Sequence, residues 1–255
     1  MGNCLKTQLK EVVQNDNLLK MGEVVINVNT EDTDGILYLE GFTSAHVVGN
    51  GLIGVSSPTG TTADITNLDT LYYGAGTYKI VLYSKYNATS IRETQAKPGV
   101  NMDINEFAYS PNLYHLWLSS RFVNTTKIKT SAFKHLRNFG IFNSGDNYNI
   151  DIDIDEFAGG NIQSLELGSI MNAKGNIENL AGCVNLTSLN FWRTPIEGEV
   201  NVLAAALAPN KNNGDTLTIM PVGSEITNDG VKADGSYRDV IITFDGQGGY
   251  TKSYS

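Results

Sequence analysis

Leu113-Tyr-His-Leu116-Trp-Leu118, Leu136-Arg-Asn-Phe139-Gly-Ile141, Ile162-Gln-Ser-Leu165-Glu-Leu167 and Leu186-Thr-Ser-Leu189-Asn-Phe191 are four versions of one pattern. The pattern is L-x-x-L-x-L, with Ile or Phe allowed at the apolar places. The central residues 116, 139, 165 and 189 lie 23, 26 and 24 residues apart. A second repeat runs alongside, because Asp103-Ile-Asn-Glu-Phe107-Ala108 returns as Asp153-Ile-Asp-Glu-Phe157-Ala158 fifty residues later. Self-similarity at a fixed step of this size predicts a stacked repeat architecture. Each L-x-x-L-x-L segment is expected to be a short parallel strand with its apolar residues inward. The intervening residues then face out on a concave sheet: Tyr114, His115 and Trp117; Arg137, Asn138 and Gly140; Gln163, Ser164 and Glu166; Thr187, Ser188 and Asn190. Segments such as Asp153 to Ala158 read as short helical or 3-10 returns, with Phe107 and Phe157 closing the core from that side.

Outward from the repeats, the period changes. Glu23 to Asn29 alternates and is β-branched, Asp34-Gly35 reads as a turn into Ile36–Glu40, and Thr77–Tyr83 is a clear strand. His46-Val-Val and Leu52–Val55, joined by Gly49-Asn-Gly51, read as a hairpin-like pair. Ala96-Lys-Pro-Gly-Val100 is the best boundary. It divides the chain into an N-terminal β-sandwich-like domain, 1–95, and a leucine-rich-repeat solenoid with C-terminal capping strands, 96–255. Glu199–Ala208 is predicted as a helix stopped by Pro209. Thr216–Met220, Asp239–Phe244 and Tyr250–Tyr254 read as the capping strands. The fold class expected is thus β-rich α+β: an antiparallel β domain, a short solenoid and a β cap.

Composition narrows the function classes. The 255 residues are 41% hydrophobic and 18% charged, with a net charge of -9 and no basic stripe, which argues against nucleic acid. Met1-Gly-Asn-Cys-Leu-Lys lacks the apolar core of a signal peptide, and Lys6 stands where myristoylation wants Ser or Thr. The longest apolar run, Val202 to Ala208, is too short to span a bilayer, so no membrane insertion is expected. Cys183 reads as a small buried hydrophobe. Asn87-Ala-Thr89, Asn124-Thr-Thr126 and Asn185-Leu-Thr187 match the glycosylation pattern by chance.

No phosphate loop, nucleophile elbow, C-x-x-C or paired His ligand occurs. No enzyme activity and no cofactor is expected. Asp151, Asp153 and Asp155 alternate onto one side and are the one weak metal candidate. The calcium-hand loop fails there, because Glu156 and Ile162 stand where Gly and Glu are required. A solvated acidic edge is the expected reading. Tyr114, His115 and Trp117 form an aromatic patch that Trp192-Arg193 extends. With Arg137, Gln163 and Glu166 it is the candidate binding face. Leu5, Leu9, Val12 and Val13 fit a helical stripe, whereas Leu5, Thr7, Leu9, Glu11 and Val13 alternate like a strand against Lys6 and Lys10, and the strand is the reading taken. Those alternating residues are the candidate docking edge, an unpaired strand that a neighbouring chain completes.

Residues 100–195 resemble the irregular leucine-rich repeats of Bacteroides-type surface antigens. They depart from that pattern where Arg121, Ser144, Ile170 and Thr194 replace the usual asparagine ladder. Cys4-Leu-Lys-Thr-Gln-Leu-Lys10, Asn17-Leu-Leu-Lys-Met-Gly-Glu23, Gly76-Thr-Tyr-Lys-Ile80 and Ser84-Lys-Tyr-Asn87 are similar to stretches in repeat proteins of bacteriophages and prophages of gut Bacteroides. The resemblance implies a virion structural protein, decorating head or tail or forming a fibre. It would dock through its N-terminal domain to other virion proteins or its own copies and display the repeats. The alternative it leaves is a bacterial repeat protein that binds a host or glycan surface.

Overall fold

The computed structural model describes residues 23–64, 70–83, 85–93, 97–108, 110–142, 149–233 and 239–255. The expected strand at residues 1–20, with the docking edge Leu5, Thr7, Leu9, Glu11 and Val13, lies outside the described residues.

The first half contributes β1 (Glu23–Thr30), β2 (Gly35–Glu40), β3 (Ser44–Gly49), β4 (Ile53–Gly54), β5 (Thr62–Asp64), β6 (Thr70–Tyr73), β7 (Gly76–Tyr83), β8 (Ser90–Glu93) and β9 (Val100–Met102). The four repeats supply β10 (His115–Ser119), β11 (Asn138–Phe142), β13 (Ser164–Gly168) and β15 (Ser188–Asn190), with β12 (Ile152–Asp153) and β14 (Ala173–Lys174) on the returns. Then come β16 (Glu197–Glu199), helix α1 (Val200–Leu207), β17 (Asn213–Met220), β18 (Glu225–Asn228), β19 (Val231–Lys232), β20 (Val240–Asp245) and β21 (Tyr250–Tyr254).

Two large sheets organise these strands. One has the order β5-β3-β7-β1-β9. The other has eleven strands, β21-β20-β17-β15-β13-β11-β10-β8-β2-β6-β4. In β1, Val24, Ile26 and Val28 are buried and alternate with half-buried or exposed residues, as an inward apolar face requires. Successive strands of this half leave one sheet for the other. The expected hairpin of His46–Val48 with Leu52–Val55 therefore does not form: β3 pairs with β5 and β7, whereas β4 pairs with β6.

The expected solenoid between a separate β domain and a β cap is corrected by this topology. The described residues are 46% strand and 16% helix, built on large sheets as a sandwich-like β fold, and do not form a leucine-rich-repeat solenoid. The repeat strands are the middle of the eleven-stranded sheet. On one side β10 continues into β8, and β8 into β2; on the other β15 continues into β17, and β17 into the antiparallel β20 and β21. Strand pairing also crosses residues 96–100, because β9 pairs with β1 as Val28 opposite Val100 and Ile26 opposite Met102. The physical reason is the strand edge. An L-x-x-L-x-L segment specifies a strand with one apolar face but leaves its backbone N–H and C=O groups free to bond any neighbour. In this chain those neighbours come from both ends.

Locally the repeat reading holds. β10, β11, β13 and β15 are parallel and in register, with Leu116 opposite Phe139, Phe139 opposite Leu165 and Leu165 opposite Leu189. Leu116, Leu118, Phe139, Ile141, Leu165, Leu167, Leu189 and Phe191 are all fully buried. Each such side chain contributes roughly 1.5–3 kcal/mol of transfer free energy. The returns are 3-10 turns at Ile104–Phe107 and Ile154–Phe157, with Phe107 and Phe157 fully buried. The Phe139 and Phe157 rings meet at 5.1 Å. α1 forms as expected and runs into a 3-10 turn that holds Pro209. Among the described residues, no helix is long and apolar enough to cross a membrane.

Candidate functional site

The outward residues of the large sheet line up by register. Across the strands run Tyr38, Arg92, Trp117, Gly140, Glu166, Asn190 and Met220, each opposite the next. Arg92 lies over the Tyr38 ring at 5.5 Å. His115 packs edge-on to Trp117 at 6.0 Å, and Trp117 meets Phe142 at 6.2 Å. Gly140 makes room for this arrangement, because a Cβ there would sit 2.8 Å from the Trp117 ring.

Beyond Gly140 the row opens into a cleft of about 890 Å³, lined by Phe142, Glu166, Gly168, Asn190, Trp192, Met220, Val222, Asp239 and Ser255. The cleft lies at the C-terminal ends of the parallel strands, where the sheet changes from parallel (β15–β17) to antiparallel (β17–β20). Glu166 is half-buried in it. Burial pushes its carboxyl above the usual carboxylate range, and a hydrogen bond from Asn190 works in the opposite direction. The Asn190 carbonyl also accepts from the Trp192 backbone N–H at 3.3 Å. One amide side chain thus ties the acid to the turn that carries the indole.

That turn is held tightly. Arg193 takes a left-handed backbone, φ 52°. Its N–H donates to the Val222 carbonyl, and the Trp192 carbonyl accepts from Ser169 N–H. The buried Thr194 hydroxyl donates to the Leu167 carbonyl at 2.7 Å. Gly223 comes so close that a Cβ would lie 3.2 Å from the Arg193 Cα. The Arg193 guanidinium sits over the Trp192 ring at 4.5 Å. The indole remains 46% exposed, so a large apolar surface is presented to solvent from a braced turn.

The residues expected to bind are only partly brought together. Trp117 and Glu166 share the outward row, and of the six expected residues Glu166 alone lines the cleft. Tyr114 and Arg137 are exposed at the N-terminal ends of their strands. Gln163 lines a separate polar cleft of about 510 Å³ with Thr187 and Lys211. His115 stands beside Trp117, and burial, with Arg92 nearby, depresses its pKa. Phe142, Met220, Val222 and Asp239 were not singled out from the sequence. Alternation in Thr216-Leu-Thr-Ile-Met220, with Leu217 and Ile219 buried, carries the signal for Met220.

The carboxylates at and beside the weak metal candidate serve the neighbouring turns. Asp153 caps its turn by accepting from Asp155 N–H at 3.1 Å, and Asp155 accepts from Asn176 N–H at 2.8 Å. Glu156 accepts from Thr130 Oγ1 and from Ser131 N–H, both at 2.9 Å. Asp151 pairs with Lys127 by a backbone bridge, and Lys174 reaches Asp153 at 3.6 Å. The sister turn makes the same bonds: Asp103 accepts from Asn105 N–H, and Asn105, a neutral residue, accepts from Lys129 N–H at 2.9 Å. A neutral residue doing the job of Asp155 shows that the position needs an acceptor and not a charge. Among the described residues, no three His, Cys, Asp or Glu side chains converge as a metal site. Cys183 is buried and its thiol donates to the Phe157 carbonyl at 3.3 Å, as a small core residue.

Comparison with protein-family models, with curated proteins and with solved structures returns no match.

Proposed function

We propose that this chain is a non-enzymatic recognition protein, a virion component that displays the outer face of its large sheet to another surface. The observation that carries recognition is the cleft of about 890 Å³ lined by a half-exposed tryptophan on a braced turn and a half-buried carboxyl. A concave, partly apolar site with a few fixed polar groups is the usual form of a binding site. The virion placement rests on the resemblance carried by residues 4–10, 17–23, 76–80 and 84–87. A bacterial protein that binds a host or glycan surface would use the same cleft.

Two measurements test the two parts. Mass spectrometry of purified particles should find the chain at structural copy number, and its absence from them removes the virion placement. Cosedimentation of the full chain with isolated bacterial envelopes should show saturable binding that Trp192→Ala weakens at least tenfold. Equal binding by the variant would overturn the cleft as the recognition surface.

A further inference from the structure

We infer that the cleft between Trp192 and Glu166 takes the ring of a saccharide that carries no carboxylate, sulfate or phosphate. This deepens the recognition reading above and rests on it.

The chemistry of the lining points to a ligand with one apolar face and a polar rim. Trp192, Phe142, Met220 and Val222 give the apolar part. Glu166, Asn190 and Asp239 give the polar part, and all three offer oxygen acceptors. A sugar ring has this division: its C–H groups stack on an aromatic face while its hydroxyls donate to carboxylates and amides. The volume of about 890 Å³ suits a ligand of one to a few rings.

Charge chooses among sugars. Of the described residues that line the cleft, two are carboxylates and none is Lys or Arg. Arg193 is close, but its guanidinium lies over the Trp192 ring. An anionic saccharide would meet the like charge of these two carboxylates, which costs affinity. A neutral or amino sugar would bring its donors to these acceptors. The acid at Glu166 is held where burial disfavours its charge. A hydroxyl or ammonium donor from a ligand would relieve that cost.

Other occupants fit less well. An extended peptide recognised by strand addition needs an open strand edge. Most of the lining comes from β11, β13, β15 and β17 and the residues just after them, and each of these strands is hydrogen-bonded on both sides. A nucleotide would bring phosphate to an acidic site. The geometry is also pre-formed. Arg193, Gly223 and Thr194 fix the turn, and Asn190 joins it to Glu166, so little ordering remains to oppose binding.

The test uses the full chain and the same envelope assay, with three treatments. Mild periodate, which cleaves vicinal diols, should abolish binding. Proteinase digestion of the envelopes should leave it unchanged. Free neutral oligosaccharides released from those envelopes should compete, whereas oligogalacturonate at the same concentration should not. Trp192→Ala and Glu166→Gln should each raise the apparent Kd at least tenfold with unchanged near-ultraviolet circular dichroism. Binding that survives periodate but not proteinase overturns the saccharide while leaving the recognition reading intact. Competition by oligogalacturonate equal to that of the neutral sugars overturns the charge selection. Loss of envelope binding by wild type under all conditions removes both readings.

Discussion

Glu156 and Glu166 sit on opposite sides of the same sheet, ten residues apart in the chain, and their environments push them in opposite directions. On the return side, hydrogen bonds from Ser131 and Thr130 hold the Glu156 carboxyl below its ordinary range. On the outer face, burial lifts that of Glu166 above it. The return-side acids spend their oxygens on backbone donors of neighbouring turns, so they build the fold. The outer-face acid has an amide neighbour and an open cleft. Proximity of carboxylates in the sequence marked the first group as the metal candidate. What distinguishes a site from a scaffold is which donors the oxygens have already found.

The contrast can be broken most forcefully through the core beneath the returns. Phe157→Ala removes a fully buried ring packed on Phe139 and should cost about 3–5 kcal/mol in denaturant unfolding. A loss below about 1 kcal/mol would mean that the return turns do not build the core.

Asp155→Ala should come next. It strips the acceptor from Asn176 N–H and should cost about 1–2 kcal/mol. Asp155→Asn should stay within about 0.5 kcal/mol of wild type, because Asn105 already performs this role. If the Asn variant is as damaged as the Ala variant, charge matters there after all.

The two glutamates give opposite pH signatures. Glu156 has a lowered folded pKa, so its contribution is present above its ordinary value of 4.5 and is lost as pH falls through the folded value. Glu156→Gln should therefore flatten part of the acid side of the melting profile. Glu166 has a raised folded pKa, so its contribution is present below 4.5 and is lost as pH rises through the folded value. Glu166→Gln should leave the melting temperature at pH 7 equal or higher by about 1–2 °C, and the difference should vanish near pH 4. A destabilised Glu166→Gln at neutral pH would show a structural role for this acid.

The smallest expected effect is none. Millimolar Ca²⁺ should leave the melting curve unchanged, since Asp153 and Asp155 are occupied by backbone donors. A rise of several degrees would return Asp151, Asp153 and Asp155 to candidacy.

Much of the local structure was legible in the chain. The period of about 24 residues placed four parallel strands and their buried rows, because each L-x-x-L-x-L carries its own apolar face. The repeated Asp103–Ala108 and Asp153–Ala158 segments announced short returns, and Pro209 announced the end of α1. These are short-range matters of side-chain period, capping and dihedral preference, which a sequence specifies by itself. The tertiary structure alone decided what stands beside what. Strand edges are alike in sequence, so only the assembled molecule made β8 and β17 the neighbours of the repeats and denied the solenoid its ends. The cleft follows from the same cause. Phe142, Glu166 and Met220 come from separate strands and Trp192 and Asp239 from outside them, and lateral hydrogen bonding between distant strands, not any local motif, places them around one space.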